Sequence, residues 1–295
     1  MAALSENICR MCPRNCGVSR PDGVCRMGEN PVVARCAPHF GEEPCISGTR
    51  GSGAVFFCGC NLGCIFCQNH GISRGQGGKE LTVDQLADAF LRLQDQGVHN
   101  INLVTATHFT RQAALALEKA KLSIPVVFNS GGYDSVDSLR RLDGLVSIYL
   151  PDMKYSSRAA AAKYSRAPDY PETAARAIAE MFRQTGPYVL DGDGIMSRGV
   201  IIRHLILPGE MDNTFGVIDW VAEHFPEHQV MFSLMSQYTP VVHSEEHPNL
   251  NRRLTQEEYD RAESYLSLSD IEDGYFQDLS SAEEEYIPAF DCTGL

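Results

Sequence analysis

The stretch Cys58 to Asn69, CGCNLGCIFCQN, brings four of the chain's eleven cysteines within ten positions. Cys60, Cys64 and Cys67 form C-x3-C-x2-C. Three thiolates on one short loop can each hold an iron of a cubane 4Fe-4S cluster, leaving the fourth iron without a protein ligand, and an open metal position is a catalytic feature. A structural site would instead be closed by four ligands, often as two C-x2-C knuckles around zinc. A second set, Cys9, Cys12, Cys16 and Cys25, reads C-x2-C-x3-C-x8-C. Four thiolates close a tetrahedral zinc or a second iron-sulfur cluster equally well on spacing alone.

These loops need a scaffold, and the rest of the 295 residues supplies one. An apolar content of 43% suits a single large core with a small appendage. Residues 1–50 are rich in Cys, Gly, Pro and Arg without sustained periodicity, and are expected to form a Cys-rich metal-binding extension. Over residues 51–295, short β-branched or aromatic runs (GAVFF, NINLVTA, IPVVFN, VSIYL, GVIIRHLIL, QVMFSLM) alternate with helical patterns such as TVDQLADAFLRLQDQG and PETAARAIAEMFRQTG. Thr82 and Asp134 read as helix N-caps, Gly97 and Gly186 as stops. The predicted fold is α/β, a partial (β/α)6 TIM-like barrel or a doubly wound sheet, with ligands at the C-terminal ends of its strands. The tail SSAEEEYIPAFDCTGL is read either as a frayed end or as a segment docked on the sheet.

A formal charge of -13 argues against nucleic-acid partners. No apolar run approaches the ~20 residues of a membrane span, and the expected location is the cytoplasm, where thiols stay free for metals.

C-x3-C-x-aromatic-C on the first loop resembles the radical S-adenosylmethionine superfamily. Longer segments, CRMCPRNCGVSR, SGTRGSGAVFFCGCNLGCIFCQNHGIS, YLPDMKY, IIRHLILPGEMDN, FSLMSQY and YIPAFD, resemble the PflX-like branch of the pyruvate formate-lyase activating enzyme family over nearly the whole length. The resemblance implies S-adenosylmethionine chelated at the open iron, Phe66 near its adenine, and Asn69 beside it. The reduced cluster would cleave the sulfonium to a 5'-deoxyadenosyl radical that abstracts a hydrogen atom. It further implies a glycyl radical enzyme as protein substrate and a flavodoxin- or ferredoxin-type reductant. Because some activating enzymes carry additional clusters, it favours iron over zinc at the N-terminal thiols. The alternative function is direct epimerisation or dehydrogenation of a small molecule or peptide, with a cysteine, Cys292 first among Cys36, Cys45, Cys58 and Cys292, as hydrogen donor.

Further candidates follow along the strands. Where many members carry Gly-Gly-Glu for the cofactor's amine, this chain has Thr105-Ala106-Thr107-His108; Thr105, Thr107 and His108 either contact the cofactor or cap the helix that follows. Asn129 opens the NSGGY turn, whose glycines permit close approach to a ligand. Asp152 and Lys154 point the same way from a strand end, and the resembling enzymes use an Asp-x-Lys pair there. Arg203 and His204 lie in an otherwise apolar strand, so at least one should face the cavity, the other reading being a satisfied core histidine. Ser236 and Gln237 are weaker candidates. The H-x3-H pairs His224/His228 and His243/His247 read as surface histidines.

Overall fold

The structure, a computed structural model, describes residues 8–241, 243–279 and 288–295. Its strands are β1 (Val32–His39), β2 (Ser52–Phe57), β3 (Lys79–Glu80), β4 (Ile101–Val104), β5 (Val126–Ser130), β6 (Ile148–Pro151), β7 (Val189–Leu190), β8 (Met196–Leu205), β9 (Met231–Met235) and β10 (Gly274–Phe276). They form one sheet in the order β10-β9-β8-β6-β5-β4-β2-β1-β3, with β7 paired to β8. The six strands read from the sequence are β2, β4, β5, β6, β8 and β9, and neighbours among them pair in parallel. The fold is thus α/β with a partial barrel.

Helices α1 (Val83–Asp95), α2 (Thr110–Ala120), α3 (Arg158–Ser165), α4 (Tyr170–Thr185), α5 (Met211–His224) and α6 (Gln256–Ser267) supply the outer layer. In α1, Leu86, Ala87, Ala89, Phe90 and Leu93 are buried, a single stripe at helical spacing. Thr82 caps α1 in a full capping box with Gln85, and Gly186, at φ 67°, ends α4. Asp134 is not the cap expected of it: Ser135 is the N-cap residue of the short helix Val136–Leu139, while Asp134 lies buried and accepts from Thr107 Oγ1 and Ser130 Oγ, both at 2.6 Å.

Two strands escaped the sequence reading. β1, inside the stretch read as the N-terminal extension, pairs antiparallel with β2, so residues 32–39 of that stretch belong to the sheet. β10, three residues long, adds to β9 in parallel. Of the tail, residues 280–287 lie outside the described residues; beyond them the chain docks on β1, with Cys292 N donating to Ala34 O and Cys36 N to Thr293 O, both at 2.9 Å. Phe290 meets Phe56 edge-on at 5.5 Å.

Candidate active site

At the C-terminal ends of the parallel strands lies a cavity of about 230 Å³. Each crossover brings one element of chemistry to it. The loop after β2 carries Cys60, Cys64 and Cys67, and all three line the cavity with Phe66 and Asn69. From the ends of β4, β5, β6 and β8 come Thr105, Asn129, the Asp152–Lys154 pair and Arg203, and Gln237 follows β9.

The cysteine loop is held by its own main chain and by the end of α3. Cys67 N donates to Cys64 O at 3.3 Å and His70 N to Cys67 O at 3.1 Å. Ile65 N donates to Tyr164 O at 3.0 Å, and Ser165 Oγ reaches Cys64 Sγ at 2.9 Å. Phe66, 7% exposed, packs edge-on among Tyr155, Tyr164 and Tyr238 at 6.3–6.5 Å, which fixes the loop between its second and third cysteines. Burial pushes the Cys67 thiol up to about 12, with Cys64 and Cys60 adding like charge; burial also raises Cys64, against the pull of Lys154. Three thiolates so placed are held together only by a group carrying positive charge, which a metal centre supplies. No three cysteine sulfurs among the described residues lie within 4.8 Å of one another, whereas thiolates on a single zinc at ~2.3 Å stand roughly 3.8 Å apart. The loop therefore fits a cluster with a separate iron per thiolate better than a single ion.

Below the loop, Arg203 ties three strand ends together. Its Nε donates to Asp152 Oδ1 at 3.0 Å, Nη1 to Glu42 Oε2 at 3.1 Å and Nη2 to Asn129 Oδ1 at 2.7 Å. Asn129 and Asn102 in turn donate to Glu42 Oε1, each at 3.1 Å. Lys154 Nζ donates to Asp152 Oδ2 at 2.5 Å. Burial alone would raise the Asp152 carboxyl, but Lys154 and Arg203 hold it below its ordinary range. The Asp152 carboxylate and Cys64 likewise hold Lys154 protonated against burial. Tyr170 braces the strand end: its hydroxyl donates to Asp152 O at 2.6 Å and accepts from Lys154 N at 2.9 Å. Gly132, at φ 76°, lies so close beneath that a Cβ there would stand 2.1 Å from Asp152 O. Lys154 and Arg203 stand against Asp152, Glu42 and Glu43, the last 3.9 Å from Arg203 with its carboxyl pushed up by burial, a strongly polar floor suited to a zwitterionic amino-acid end: Lys154 for a carboxylate, Asp152 for an ammonium group.

The candidates therefore divide. Cys60, Cys64, Cys67, Phe66, Asn69, Thr105, Asn129, Asp152, Lys154 and Arg203 share one cavity. Thr107, His108 and His204 do not. Thr107 turns to Asp134, and His108 Nε2 meets Cys58 O at 2.7 Å. Nor does either side chain cap α2, whose N-cap is Phe109 without a side-chain bond. His204 is the satisfied core histidine: Nδ1–H donates to Met153 O at 2.7 Å, leaving Nε2 to accept from Thr214 Oγ1 at 3.0 Å. Ser236 Oγ donates to Gln277 O and is likewise committed to packing. Of Cys36, Cys45, Cys58 and Cys292, none lines the cavity. Sequence reasoning missed Glu42, which stands in the polar floor; its signal was the Glu-Glu-Pro after the β1 run, hidden in a stretch read as aperiodic.

At the N-terminal thiols, Cys9 N donates to Val18 O at 2.9 Å and Asn15 N to Cys12 O at 3.0 Å, folding the segment on itself. Burial pushes the Cys12 thiol up to about 12, with Cys16 and Cys25 adding charge, and Cys25 in turn feels Cys9 and Cys16. Cys25 thus neighbours each of the other three thiols.

Residues 54–219, more than half of the chain, match the family described as the Radical SAM superfamily. An uncharacterized protein of Methanocaldococcus jannaschii is 30% identical over 274 residues, which span 88% of this chain and 75% of that protein. Among solved structures, a radical SAM methyltransferase from Sphaerobacter thermophilus superposes with a TM-score of 0.51 at 15% identity, covering 78% of this chain and 69% of that one. Streptococcus suis SuiB bound to S-adenosylmethionine gives 0.50 at 11% identity, covering 77% and 50%. At such identities the two structures speak for the fold, and the family match speaks for the rest: with its cysteine loop and polar floor at one strand-end cavity, the chain belongs to the radical SAM superfamily.

Proposed function

We propose that this radical SAM protein, whose family uses a 4Fe-4S cluster and S-adenosylmethionine, is an activating enzyme that takes a hydrogen atom from a glycine of a partner glycyl radical enzyme. When bound, the cluster supplies one electron to break the cofactor's sulfonium bond, and the carbon radical so released is the hydrogen abstractor. Cys60, Cys64 and Cys67 would hold the cluster. Asp152 and Lys154 would bind and orient the methionine end of the cofactor, Arg203 and Asn129 fix that pair, and Phe66 shields the adenine side.

The observation that carries this reading is the Asp152–Lys154 pair, facing the same cavity as the cysteine loop, in the Asp-x-Lys pattern of the resembling activating enzymes. Of the alternatives, direct epimerisation of a small molecule or peptide finds less support, because Cys292 and the other spare thiols, its proposed hydrogen donors, stand outside the cavity. A flavodoxin- or ferredoxin-type reductant is the proposed electron source.

The test mixes anaerobically reconstituted, reduced chain and S-adenosylmethionine with a glycyl radical enzyme encoded in the same genome. Deoxyadenosine should form together with a protein-based glycyl radical signal in electron paramagnetic resonance. Deoxyadenosine without that signal, from every such partner, removes the activating role and leaves the radical chemistry.

A further inference from the structure

Residues 8–31 should not, on their own, be ordered. Apart from one 3₁₀ turn at Arg20–Asp22, they contain neither helix nor strand, and Cys25, Met27 and Pro31 are their only buried apolar side chains. Fixing a backbone costs roughly 1–2 kcal/mol per residue, which so few buried side chains do not offset. Nonetheless this segment makes some of the closest contacts to the candidate active site.

Those contacts come from Arg14, which sits between Cys12 and Cys16. Four of its guanidinium hydrogens go to main-chain carbonyls: Nε to Asn61 O at 2.6 Å, Nη2 to Leu62 O at 3.1 Å and Ser165 O at 2.8 Å, Nη1 to Arg166 O at 2.5 Å. Its plane lies over the Tyr133 ring, 5.3 Å from the centroid. Asn61 and Leu62 belong to the cysteine loop, and Ser165 is the residue whose hydroxyl touches Cys64 Sγ. On the loop's other side, a Cβ at Gly59 would stand 2.4 Å from Met27 Cγ and 2.9 Å from Cys25 O. The N-terminal thiol segment thus grips both ends of the Cys60 turn.

We propose that Cys9, Cys12, Cys16 and Cys25 hold a second iron-sulfur cluster, and that its occupancy orders Arg14 and so sets the Cys60–Cys67 loop for loading. A metal bound only by the folded arrangement supplies the missing ordering energy. An iron-sulfur cluster is chosen over a single zinc because, among the described residues, no three cysteine sulfurs approach within 4.8 Å of one another, wider than the roughly 3.8 Å of a tetrahedral zinc site. The second half of the proposal rests on the reading of Cys60, Cys64 and Cys67 as cluster ligands; the first does not.

The experiment is anaerobic reconstitution of the full chain with ferrous iron and sulfide, zinc being offered in competition, followed by a count of iron, sulfide and zinc. The native chain should hold about eight irons, the sum of two cubanes, and no zinc. The Cys60/Cys64/Cys67→Ala variant should keep about four of them. One zinc retained per native chain, or no iron in a variant whose far-ultraviolet dichroism is native, overturns the second cluster. Arg14→Ala should leave the four irons of that triple background in place while lowering the native chain's total from about eight towards four. A total that stays at about eight, with deoxyadenosine output unchanged, overturns the coupling. A chain that holds eight irons yet makes no deoxyadenosine would instead count against the proposed function, leaving the iron assignment standing.

Discussion

Asp152 touches two cations at once, Lys154 through Oδ2 and Arg203 through Oδ1, so its loss is felt beyond its own contact. Asp152→Asn leaves Lys154 without its carboxylate while Arg203 keeps Glu42. If the pair holds the methionine end of S-adenosylmethionine, a charged hydrogen bond of about 1.5–3 kcal/mol is lost, roughly a ten- to hundredfold drop in affinity. Equilibrium binding to the iron-loaded variant checks this, with iron content expected to stay at the native level; unchanged affinity would remove Asp152 from the cofactor site. His204 gives the contrasting case. Burial lowers it from 6.5 to about 4, and it stays neutral between Met153 O and Thr214. Above pH 6.5 neither folded nor unfolded chain protonates it, and stability there is insensitive to it. As pH falls from 6.5 to 4 the unfolded chain takes the proton first, and folding loses up to about 3 kcal/mol at ~1.4 kcal/mol per pKa unit. Chemical denaturation of iron-free chain between pH 7 and 4.5 should show His204→Gln with a shallower decline than its parent. The Arg203–His204 pair also shows what residue types alone leave open: strand alternation puts one of two neighbours in the cavity, but only the surrounding helix, with Thr214 on it, decides which.

At the scale of elements, every strand that carries a site residue was legible as a β-branched or aromatic run, because parallel strands buried on both faces must be apolar throughout. β1 and β10 were not. The run VVARCAPH of β1 includes Arg35 and Pro38, which its position beside the antiparallel edge tolerates, and GYF is too short to show a period. The Thr105–His108 stretch defeated the reading differently. Its chain turns into a 3₁₀ segment, Thr107–Phe109, directly after β4, so strand periodicity ends at Thr105 and the next two polar side chains swing into the packing. The turn after β5 makes an element-level test. Gly132→Ala forces a left-handed φ on a side-chain-bearing residue and drives its Cβ into Asp152 O. Stability should fall by at least ~1–3 kcal/mol, read from denaturant unfolding, and the Asp152 pair should shift, so deoxyadenosine formation falls as well. Native activity in this variant would mean that the placement of the pair is not what the cofactor needs.

For the molecule as a whole, order comes from two different sources. The sheet and its helices are held by a small apolar cluster around Ile46, Val127, Ile148 and Ile201 and by a large core with Phe90, Phe109, Phe128, Phe232 and four tyrosines almost fully enclosed, which no metal is needed to form. Residues 8–31 lean on that core through Arg14, Arg20 and Met27, with Arg20 donating to His108 O at 2.7 Å, but hold little core of their own. Removing iron should therefore separate the two. With a chelator present, trypsin should cut at Arg10, Arg14 or Arg26, leaving a resistant fragment that begins near β1, while the reconstituted chain resists at all three. Which part yields identifies the source of order: cleavage throughout would mean that the core also depends on metal, and no cleavage would mean that hydrogen bonds alone order the N-terminal segment. Selective release of residues 8–31 would make the thiol knot a separable device, docked by four hydrogen bonds of one arginine to the loop and helix end where radical chemistry is proposed to start.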